Sequence, residues 1–497
     1  MDENMQYRVA WEIQWILHTI KERLRGSSDP RTVLGMLDET RLIHELIENR
    51  DFQDEGIQKT VGIQSIFSMI KQCNNLHNVM DALEKAEQML MQETKRLKIA
   101  FIVQEFALWP SFQSIWEACE DDVDKDIVFV YTREKPLTDQ ETERFVEPYR
   151  KAGYAVKTMK EYSLQEEQPD IVFYQKPYYG FRGCPSPYYV TDANKLTPYT
   201  VFVSYCLDVQ GGRELERYFY GLPFFYHVWK IIGYSEYYRS KMIQKGYRNA
   251  ENVVLLGHPK FDVAYSLARG RQYFNPKWQD KIRGRVVVLW NTHFSVAPGT
   301  GVGTFLKWKD TVFDYFSKHQ DIVLLWRPHP LFWESVVEYL GMSQAEFNVF
   351  VQKIAAEDNV IVDKGSDYRY AFCMSNALIS DAATFLVEYA ASANPILYTV
   401  KKDGEQVCNP DYLDGIRIAE ETEDMLEFLD DIRLGRISKE ECQKNFEMFE
   451  RTFGKCDGMV GKRILQNVMD EMEKDIKRRA QDTYRLLETG DKHAVER

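Results

Sequence analysis

Three of the nine histidines in the chain stand at the ends of short apolar runs. They are His258 in the segment GHPKFD, His293 in NTHFS and His329 in RPHP. An imidazole titrates near neutral pH, so it can accept a proton or donate a hydrogen bond to a reacting group. Because prolines stiffen the loop around His329, we expect it to combine with Arg327 in phosphoryl or glycosyl phosphate chemistry. His293 is a second candidate for a base or a phosphate contact.

Other residues of these segments are candidates for binding the phosphates of a donor. A fourth segment, SDAATFLVEYA (380–390), follows an apolar run and opens a predicted helix, whose free amide groups attract phosphate. The Thr384 hydroxyl is expected to join those amides, and the Glu388 carboxylate to accept hydrogen bonds from a ribose or a nucleobase. The full set of predicted donor- or phosphate-binding residues is Arg327, His258, Lys260, Ser380, Asp381, Thr384 and Glu388.

Each segment also has a structural interpretation. His329 can simply cap a strand, and Ser380 or Asp381 before a helix is ordinary N-capping. Asp262 is expected to cap the helix that follows its own segment. The glycine-rich stretch GTGVGT (299–304) lacks the Lys-Ser/Thr pair of a P-loop, so we expect a mobile loop near the site instead.

The apolar runs that precede these segments form two series, each alternating with helical stretches. The first series is LKIAFIVQ, DIVFVYT, DIVFYQKP, TVFVSY, KIIGYS and NVVLLGHP; the second is RVVVLWN, DIVLLWRPHP, NVIVD, ALISD and PILYT. Runs that are apolar on both faces are typical of parallel strands covered by helices. The pattern predicts an α/β protein with two doubly wound sheets and a cleft between them. Ligands of such sheets bind at the carboxyl ends of the strands, where the histidines stand.

This pattern divides the chain into four parts. We predict a helical N-terminal segment (1–95), an N-terminal lobe (96–268), a C-terminal donor-binding lobe (269–470) and a charged helical tail (471–497) that is solvated or frayed. The first part shows the periodicity of about three amphipathic helices. A cap on the core is the favoured role for these helices; contact with a second subunit, giving a homo-oligomer, or with a membrane-bound partner are the alternatives.

Composition excludes several classes of protein. The chain has 63 basic and 76 acidic side chains and a net charge of −13, which argues against a nucleic-acid partner bound through its phosphates. No apolar run approaches the ~18 residues that cross a bilayer, and the acidic start is unlike a signal peptide, so we expect a cytoplasmic protein. The eight cysteines are scattered without short spacings. Neither a metal nor a cofactor is therefore expected.

The order and spacing of the four segments resemble the CDP-glycerol glycerophosphotransferase family, in detail over roughly 200–400. GHPKFD is similar to the family's Gly-x-Pro-Arg/Lys-x-Asp, RPHP to its Arg/Lys-x-His-Pro, and the stretch 367–398 to its run from Asp-Tyr to Pro-x-x-x-Tyr. The resemblance implies a GT-B fold with two Rossmann-like lobes. It also implies transfer of glycerol phosphate or another polyol phosphate from a CDP-activated donor to a hydroxyl of a cell-envelope polymer or glycan. CMP would be released, at the inner face of the cell membrane with peripheral membrane contact.

The resemblance also implies roles for individual residues. His329 becomes a catalytic or phosphate-stabilising histidine, with Arg327, Ser380, Asp381 and Thr384 around the donor's pyrophosphate. One stretch departs from the family pattern, because SYCLDVQGG (204–212) stands where the family has Trp-His-Gly-Thr, whose histidine is the expected base.

The candidates to replace that histidine are Asp208, Tyr205 and His293. Two other functions stay open. One is a GT-B glycosyltransferase that uses a nucleotide sugar and releases a nucleoside diphosphate. The other is a catalytically impaired nucleotide-binding protein whose N-terminal helices form a partner surface.

Overall fold

The structure is a computed structural model in which residues 7–26, 76–93, 96–121, 123–131, 136–178, 188–245, 248–268, 273–454 and 456–489 are described. The helix predicted to follow Asp29-Pro30 lies outside these residues. The described parts of the N-terminal segment are both helical, α1 Tyr7–Gly26 and α2 Leu76–Glu93.

Seven parallel strands form the first sheet, and the part of the chain around it is called the first lobe. They are β1 Lys98–Val103, β2 Asp124–Phe129, β3 Val156–Thr158, β4 Ile171–Tyr174, β5 Tyr199–Val203, β6 Lys230–Gly233 and β7 Val253–Leu255. Their order is β3-β2-β1-β4-β5-β6-β7. All residues of β4 and β5 are buried, which explains why these runs are apolar on both faces. The strand order reverses direction between β1 and β4, which is the topological switch point of this sheet.

Six parallel strands form the second sheet, at the centre of the second lobe. They are β8 Val286–Thr292, β9 Ile322–Pro328, β10 Val360–Val362, β11 Ala377–Ser380, β12 Ile396–Thr399 and β13 Arg417–Ala419. Their order is β10-β9-β8-β11-β12-β13, so the second switch point lies between β8 and β11. Both sheets therefore have the winding that the alternating pattern predicts.

Helices follow most strands and cover both faces of each sheet. In the first lobe they are α3 Gln113–Ala118, α4 Asp139–Lys151, α5 Leu164–Glu167, α6 Val190–Leu196, α7 Arg213–Tyr220, α8 Phe224–His227, α9 Glu236–Lys245 and α10 Pro259–Ala268. In the second lobe they are α11 Gln279–Ile282, α12 Phe305–Lys318, α13 Phe332–Ser335, α14 Val337–Leu340, α15 Gln344–Ala356, α16 Arg369–Cys373, α17 Ala383–Ala390, α18 Thr422–Arg433 and α19 Lys439–Phe453.

A long last helix, α20 Val460–Thr489, returns from the second lobe to the first. It packs against α3 and α1, and its apolar face is fully buried at Ile464, Val468, Met472 and Ile476. The expectation of a solvated or frayed tail is therefore wrong as far as Ala480, because this stripe completes the core of the first lobe. The helix is continuous across 470, and the domain boundaries drawn from the sequence pattern stay predictions.

None of the helices in the described ranges combines the length and the apolarity that crossing a bilayer requires.

Candidate active site

Polar side chains follow the strands at the two switch points and the neighbouring strand β9. In the first lobe, Glu105 comes two residues after the end of β1 and Lys176 two residues after the end of β4. In the second lobe, His293 follows β8, Asp381 follows β11 and His329 follows β9. Crevices at such switch points are where doubly wound sheets bind ligands. The sequence therefore places chemistry-bearing residues at both of them.

Contacts between the lobes bring these two edges together. Two of them are backbone hydrogen bonds: the Gly211 N–H donates to the Gln406 carbonyl at 2.7 Å, and the Cys408 N–H donates to the Val209 carbonyl at 2.9 Å. In a third contact, the Arg369 guanidinium lies 5.9 Å from the Phe106 ring. Because Phe106 directly follows Glu105, the turn after β1 lies against the second lobe.

His293 and His329 form a pair on the second lobe, with ring centroids 5.2 Å apart. The Leu331 N–H donates to Nδ1 of His329 at 3.2 Å, and the Ser295 N–H donates to Nδ1 of His293 at 3.3 Å. Ser295 Oγ lies 2.6 Å from the same Nδ1; because Oγ accepts the Val302 N–H at 3.0 Å, its own hydroxyl proton is assigned to Nδ1. An Nδ1 that accepts a hydrogen bond leaves the proton of a neutral imidazole on Nε2. No protein group in the described part of the chain accepts from either Nε2–H.

Burial keeps both imidazoles neutral at physiological pH. It lowers the pKa of His293 to about 3, with His329 adding to the effect, and it lowers the pKa of His329 to about 4. The sequence predicts that His293 or His329 acts as a base near pH 7. The geometry instead makes the pair neutral N–H donors, which suit phosphate oxygens on which negative charge develops.

Glu105 and Lys176 form an ion pair on the facing edge, with 3.0 Å between Oε2 and Nζ. The Lys176 ammonium also donates to Oε1 of Gln104 at 2.5 Å. The Glu105 side chain is 43% exposed, so it is open to the cleft. Burial lowers the pKa of His329, and the negative charge of Glu105 opposes that effect, as expected of a carboxylate facing the ring. Both residues were missed from the sequence, although they follow the apolar runs of β1 and β4 as the histidines follow theirs.

The wall of the first lobe beside Lys176 is aromatic. Tyr178, Tyr205 and Tyr218 line a cavity of about 40 Å³. Since about 10–15 Å³ on this measure holds one water, the cavity has room for about three water-sized groups. The Tyr205 hydroxyl is hydrogen-bonded to the Tyr178 hydroxyl at 3.1 Å, and burial raises the Tyr205 pKa well above its usual value. Tyr205 is therefore a poor replacement for a histidine base.

Asp208 is fully buried behind this wall. Its two carboxylate oxygens accept hydrogen bonds from the hydroxyls of Tyr220 at 2.5 Å and Tyr234 at 3.0 Å. Burial raises its pKa to about 6, against the opposing effect of those hydrogen bonds. Both oxygens are occupied and closed off from a substrate, so the geometry does not support Asp208 as the base that replaces the missing histidine.

Asp381 and Ser380 shape the loop that carries His293. The Asp381 carboxylate accepts from the backbone N–H groups of His293 and Thr304, each at 2.7 Å, and burial raises its pKa to about 6. Ser380 Oγ donates to Oδ1 of Asn291 at 3.0 Å and accepts from the N–H of Ala382, which precedes α17. The N-cap residue of α17 is Ala382 and no side chain caps the helix, so the prediction that Ser380 or Asp381 is its N-cap is wrong. A buried carboxylate also repels phosphate, so Asp381 is a positioning residue rather than a phosphate ligand.

Thr384, in the same segment, lies beside the first lobe. Its hydroxyl lies 3.5 Å from the Leu207 carbonyl, at the start of α17. This places the first turn of α17 at the junction of the lobes, where the sequence predicts a phosphate site.

The glycine-rich stretch 299–304 is tied down rather than loose. The Lys401 ammonium donates to the Ala297 and Thr300 carbonyls, and the Glu405 N–H donates to the Gly301 carbonyl at 2.9 Å. Gly301 has a φ of +67°, and a Cβ there would lie 2.4 Å from the Ser295 side chain. The expected mobile loop is thus a fixed cover over the His293 segment.

Arg327 is committed to a buried ion pair. Its guanidinium contacts the Asp363 carboxylate and donates to the Gly365 carbonyl at 2.8 Å. Its backbone carbonyl accepts from Nδ2 of Asn291 at 2.9 Å. The predicted phosphate cation is therefore neutralised within the second lobe, where it braces the end of β9 just before His329.

Lys260 and Glu388 pair with each other across the lobes. The ammonium lies 2.8 Å from Oε1 of Glu388, and the Tyr368 hydroxyl donates to Oε2 at 2.7 Å. Both charged side chains are buried. The ribose or phosphate contacts expected of them are already taken by this network.

His258 and Asp262 are also structural in this arrangement. The Lys260 N–H donates to Nδ1 of His258 at 3.2 Å, and Nε2 lies 2.6 Å from the Ser204 carbonyl. The ring is fully buried, which lowers its pKa to about 3, so it joins the ends of β7 and β5 instead of contacting phosphate. The Asp262 carboxylate accepts from the first N–H groups of α20, not from those of its own helix α10 as expected.

Within the described residues, no group of three or more His, Cys, Asp or Glu side chains could hold a metal ion.

Comparison with known proteins gives matches among solved structures alone, since no protein-family model and no curated protein matches the chain. A crystal structure of UDP-N-acetylglucosamine 2-epimerase has a TM-score of 0.50 at 9% identity, covering 76% of this chain and 96% of that one. The chain has a GT-B-type fold. This confirms the predicted fold class of two Rossmann-like lobes with a helical N-terminal segment.

Two further matching structures have lower TM-scores. UDP-GlcNAc 2-epimerase from Neisseria meningitidis, bound to UDP-GlcNAc, has a TM-score of 0.48 at 10% identity, covering 75% of this chain and 99% of that one. The wall teichoic acid polymerase TagF has a TM-score of 0.49 at 13% identity, covering 84% of this chain and 99% of that one.

Proposed function

We propose that this GT-B chain transfers glycerol phosphate, or another polyol phosphate, from a CDP-activated donor to a hydroxyl of a cell-envelope polymer or glycan. CMP is the second product. The observation that carries the proposal is the His293–His329 pair, with ring centroids 5.2 Å apart, opposite Glu105 and Lys176. The motif resemblance around His329 and Ser380 supports the CDP-polyol donor. The reaction would take place in the cytoplasm, at the inner face of the membrane, through peripheral contact.

The cleft residues fit a direct displacement at phosphorus. The acceptor oxygen forms a new bond to the phosphorus of the polyol phosphate, and the bond from that phosphorus to the CMP oxygen breaks. The Nε2–H groups of His293 and His329 donate to the phosphate oxygens, whose negative charge they stabilise without a proton transfer. Lys176 holds the Glu105 carboxylate on the facing lobe, while Arg327 and Asp381 hold the two histidine loops in place.

The test measures CMP release from CDP-glycerol, with sn-glycerol 3-phosphate as a hydroxyl acceptor and water as the background acceptor. We expect His293→Gln and His329→Gln each to lower the rate by about 10²–10³-fold, the usual effect of losing one such donor. His227→Gln is the matched control. His227 is exposed and precedes β6, at the amino ends of the strands and away from their carboxyl ends, so its loss should leave the rate unchanged.

Other outcomes identify the alternatives. Release of a nucleoside diphosphate from a nucleotide sugar, with no CMP from CDP-glycerol, would replace the proposal by a GT-B glycosyltransferase. Binding of CDP-glycerol without release of CMP would indicate a catalytically impaired nucleotide-binding protein.

A further inference from the structure

We propose that Glu105 is the general base that takes the proton of the acceptor hydroxyl. The inference rests on the proposed function. It assigns to a carboxylate of the first lobe the role that the missing histidine leaves unfilled. Three observations of the cleft and one chemical argument support it.

The first is the position of Glu105 in the fold. It lies just beyond the end of β1, and Lys176 lies just beyond the end of β4, so the pair spans the switch point of the first sheet. Residues at such a switch point contact the ligand of a doubly wound sheet. The ion pair at 3.0 Å fixes one carboxylate oxygen, and the 43% exposure of the side chain leaves the group open to the cleft.

The second is the approach of the second lobe. The ring of Phe106, the next residue, lies 5.9 Å from the Arg369 guanidinium, so the turn that carries Glu105 meets the opposite lobe. The electrostatic effect of the Glu105 carboxylate on His329 agrees with this placement. An acceptor oxygen beside Glu105 would therefore face a phosphate held by the histidine pair.

The third is the failure of the other candidates. The oxygens of Asp208 are taken by two tyrosine hydroxyls. The Nδ1 atoms of His293 and His329 accept backbone N–H groups, which leaves these rings as donors. Among these cleft groups, the Glu105 carboxylate keeps a capacity to accept a proton next to the switch point.

The fourth is chemical. Carboxylates accept the substrate hydroxyl proton in protein kinases, so a carboxylate is a competent base for attack on phosphorus. In the proposed step the acceptor O–H bond breaks as its oxygen bonds to phosphorus, and the proton passes to a Glu105 oxygen. The bond from phosphorus to the CMP oxygen breaks, and CMP leaves with that electron pair. The proton on Glu105 then returns to solvent.

The experiment compares Glu105→Gln, Glu105→Asp and Glu105→Ala with the wild type, using CDP-glycerol as donor and sn-glycerol 3-phosphate as acceptor probe. We expect kcat for CMP release to fall about 10²–10⁴-fold in Glu105→Gln, the usual range for losing a general base. Stabilisation of the variant by CDP-glycerol in a thermal-shift titration should match that of the wild type. Added formate should partly restore the rate of Glu105→Ala, because it supplies a carboxylate in the vacated space.

The matched control is Glu143→Gln. Glu143 is an exposed glutamate of the same lobe, paired with Arg150 at 2.7 Å outside the cleft, and its loss should change neither measurement. A Glu105→Gln enzyme that keeps the wild-type rate would overturn the assignment and leave the proposed function standing. Absence of CMP release by the wild type itself would instead overturn the proposed function and, with it, the role of Glu105.

Discussion

Burial sets the protonation state of the three strand-end histidines. The pKa is lowered to about 3 for His258 and His293 and to about 4 for His329, against about 6.5 in an unfolded chain. Between these values the unfolded chain binds more protons than the folded one, so stability falls as the pH drops below 6.5. Asp208 and Asp381, whose pKa burial raises to about 6, oppose this fall between pH 6 and 4 because their folded forms bind protons first.

His258 offers the clearest test of this linkage, since it lies outside the proposed chemistry. In His258→Asn the shorter amide can still accept from the Lys260 N–H but loses the contact with the Ser204 carbonyl. We expect the free energy of unfolding at pH 7 to fall by about 1–3 kcal/mol. We also expect its decline between pH 6.5 and 4.5 to become shallower by about 1.4 kcal/mol per pH unit, the contribution of one proton.

Urea denaturation at a series of pH values measures both effects. His227→Asn is the control, because its side chain is exposed and should leave the profile unchanged. An unaltered pH profile in His258→Asn would show that His258 titrates alike in the folded and unfolded chains.

His293 and His329 could be predicted from the sequence because each directly follows an apolar run, and the two runs form neighbouring strands of the sheet. The same rule, applied to β1 and β4, would have found Glu105 and Lys176. The burial of a side chain and the identity of its hydrogen-bond partners cannot be read from the sequence. The sequence predicts Asp208 as a candidate base, whereas in the structure two tyrosine hydroxyls occupy its carboxylate oxygens.

At the scale of elements, the strands found from the sequence are those that contain an apolar run, whether they lie inside a sheet, as β1 does, or at its edge, as β7 and β10 do. The missed strands, β3 (VKT) and β13 (RIA), have three residues each, one of them charged, so no apolar run marks them. The apolar stripe of α20 was hidden among many charges. The structure shows that this stripe packs into the core of the first lobe, although α20 follows the second lobe in the chain.

The junction between α20 and α3 depends on a glycine. Gly461 lies in the first turn of α20, and a Cβ at this position would be 2.2 Å from the backbone of Ser114. Asp262 accepts the Gly461 N–H at 2.7 Å, so the turn is held from both sides. Backbone cannot move aside as a flexible side chain can.

Gly461→Ala should therefore displace α20 and lower the free energy of unfolding by about 1–3 kcal/mol, although alanine favours helix over glycine. Thermal and urea denaturation of the purified variant measure the change. Lys462→Ala, one residue further on the exposed side, is the matched control and should be neutral. A stabilised Gly461→Ala protein would mean that helix propensity outweighs the clash and that α20 packs less closely than the structure has it.

At the scale of the whole molecule, the lobes are joined by a buried charged network as well as by backbone contacts. Lys260 comes from α10 of the first lobe and Glu388 from α17 of the second, with Tyr368 on the other carboxylate oxygen. Buried ion pairs add little net stability but are costly to break from one side. Such a pair therefore fixes how the lobes are aligned, and with them the distance between Glu105 and the histidine pair.

A double-mutant cycle tests that arrangement. Glu388→Leu alone leaves a buried ammonium and Lys260→Met alone leaves a buried carboxylate, so each should destabilise the protein by about 3–5 kcal/mol. The double variant should lose clearly less than the sum, because neither charge remains unpaired, and denaturation of the four proteins gives the coupling. The exposed pair Lys318–Asp314, at 2.7 Å, serves as the control cycle, with coupling near zero. Simple additivity at Lys260 and Glu388 would mean that water reaches this pair and that the lobes are held by their backbone contacts instead.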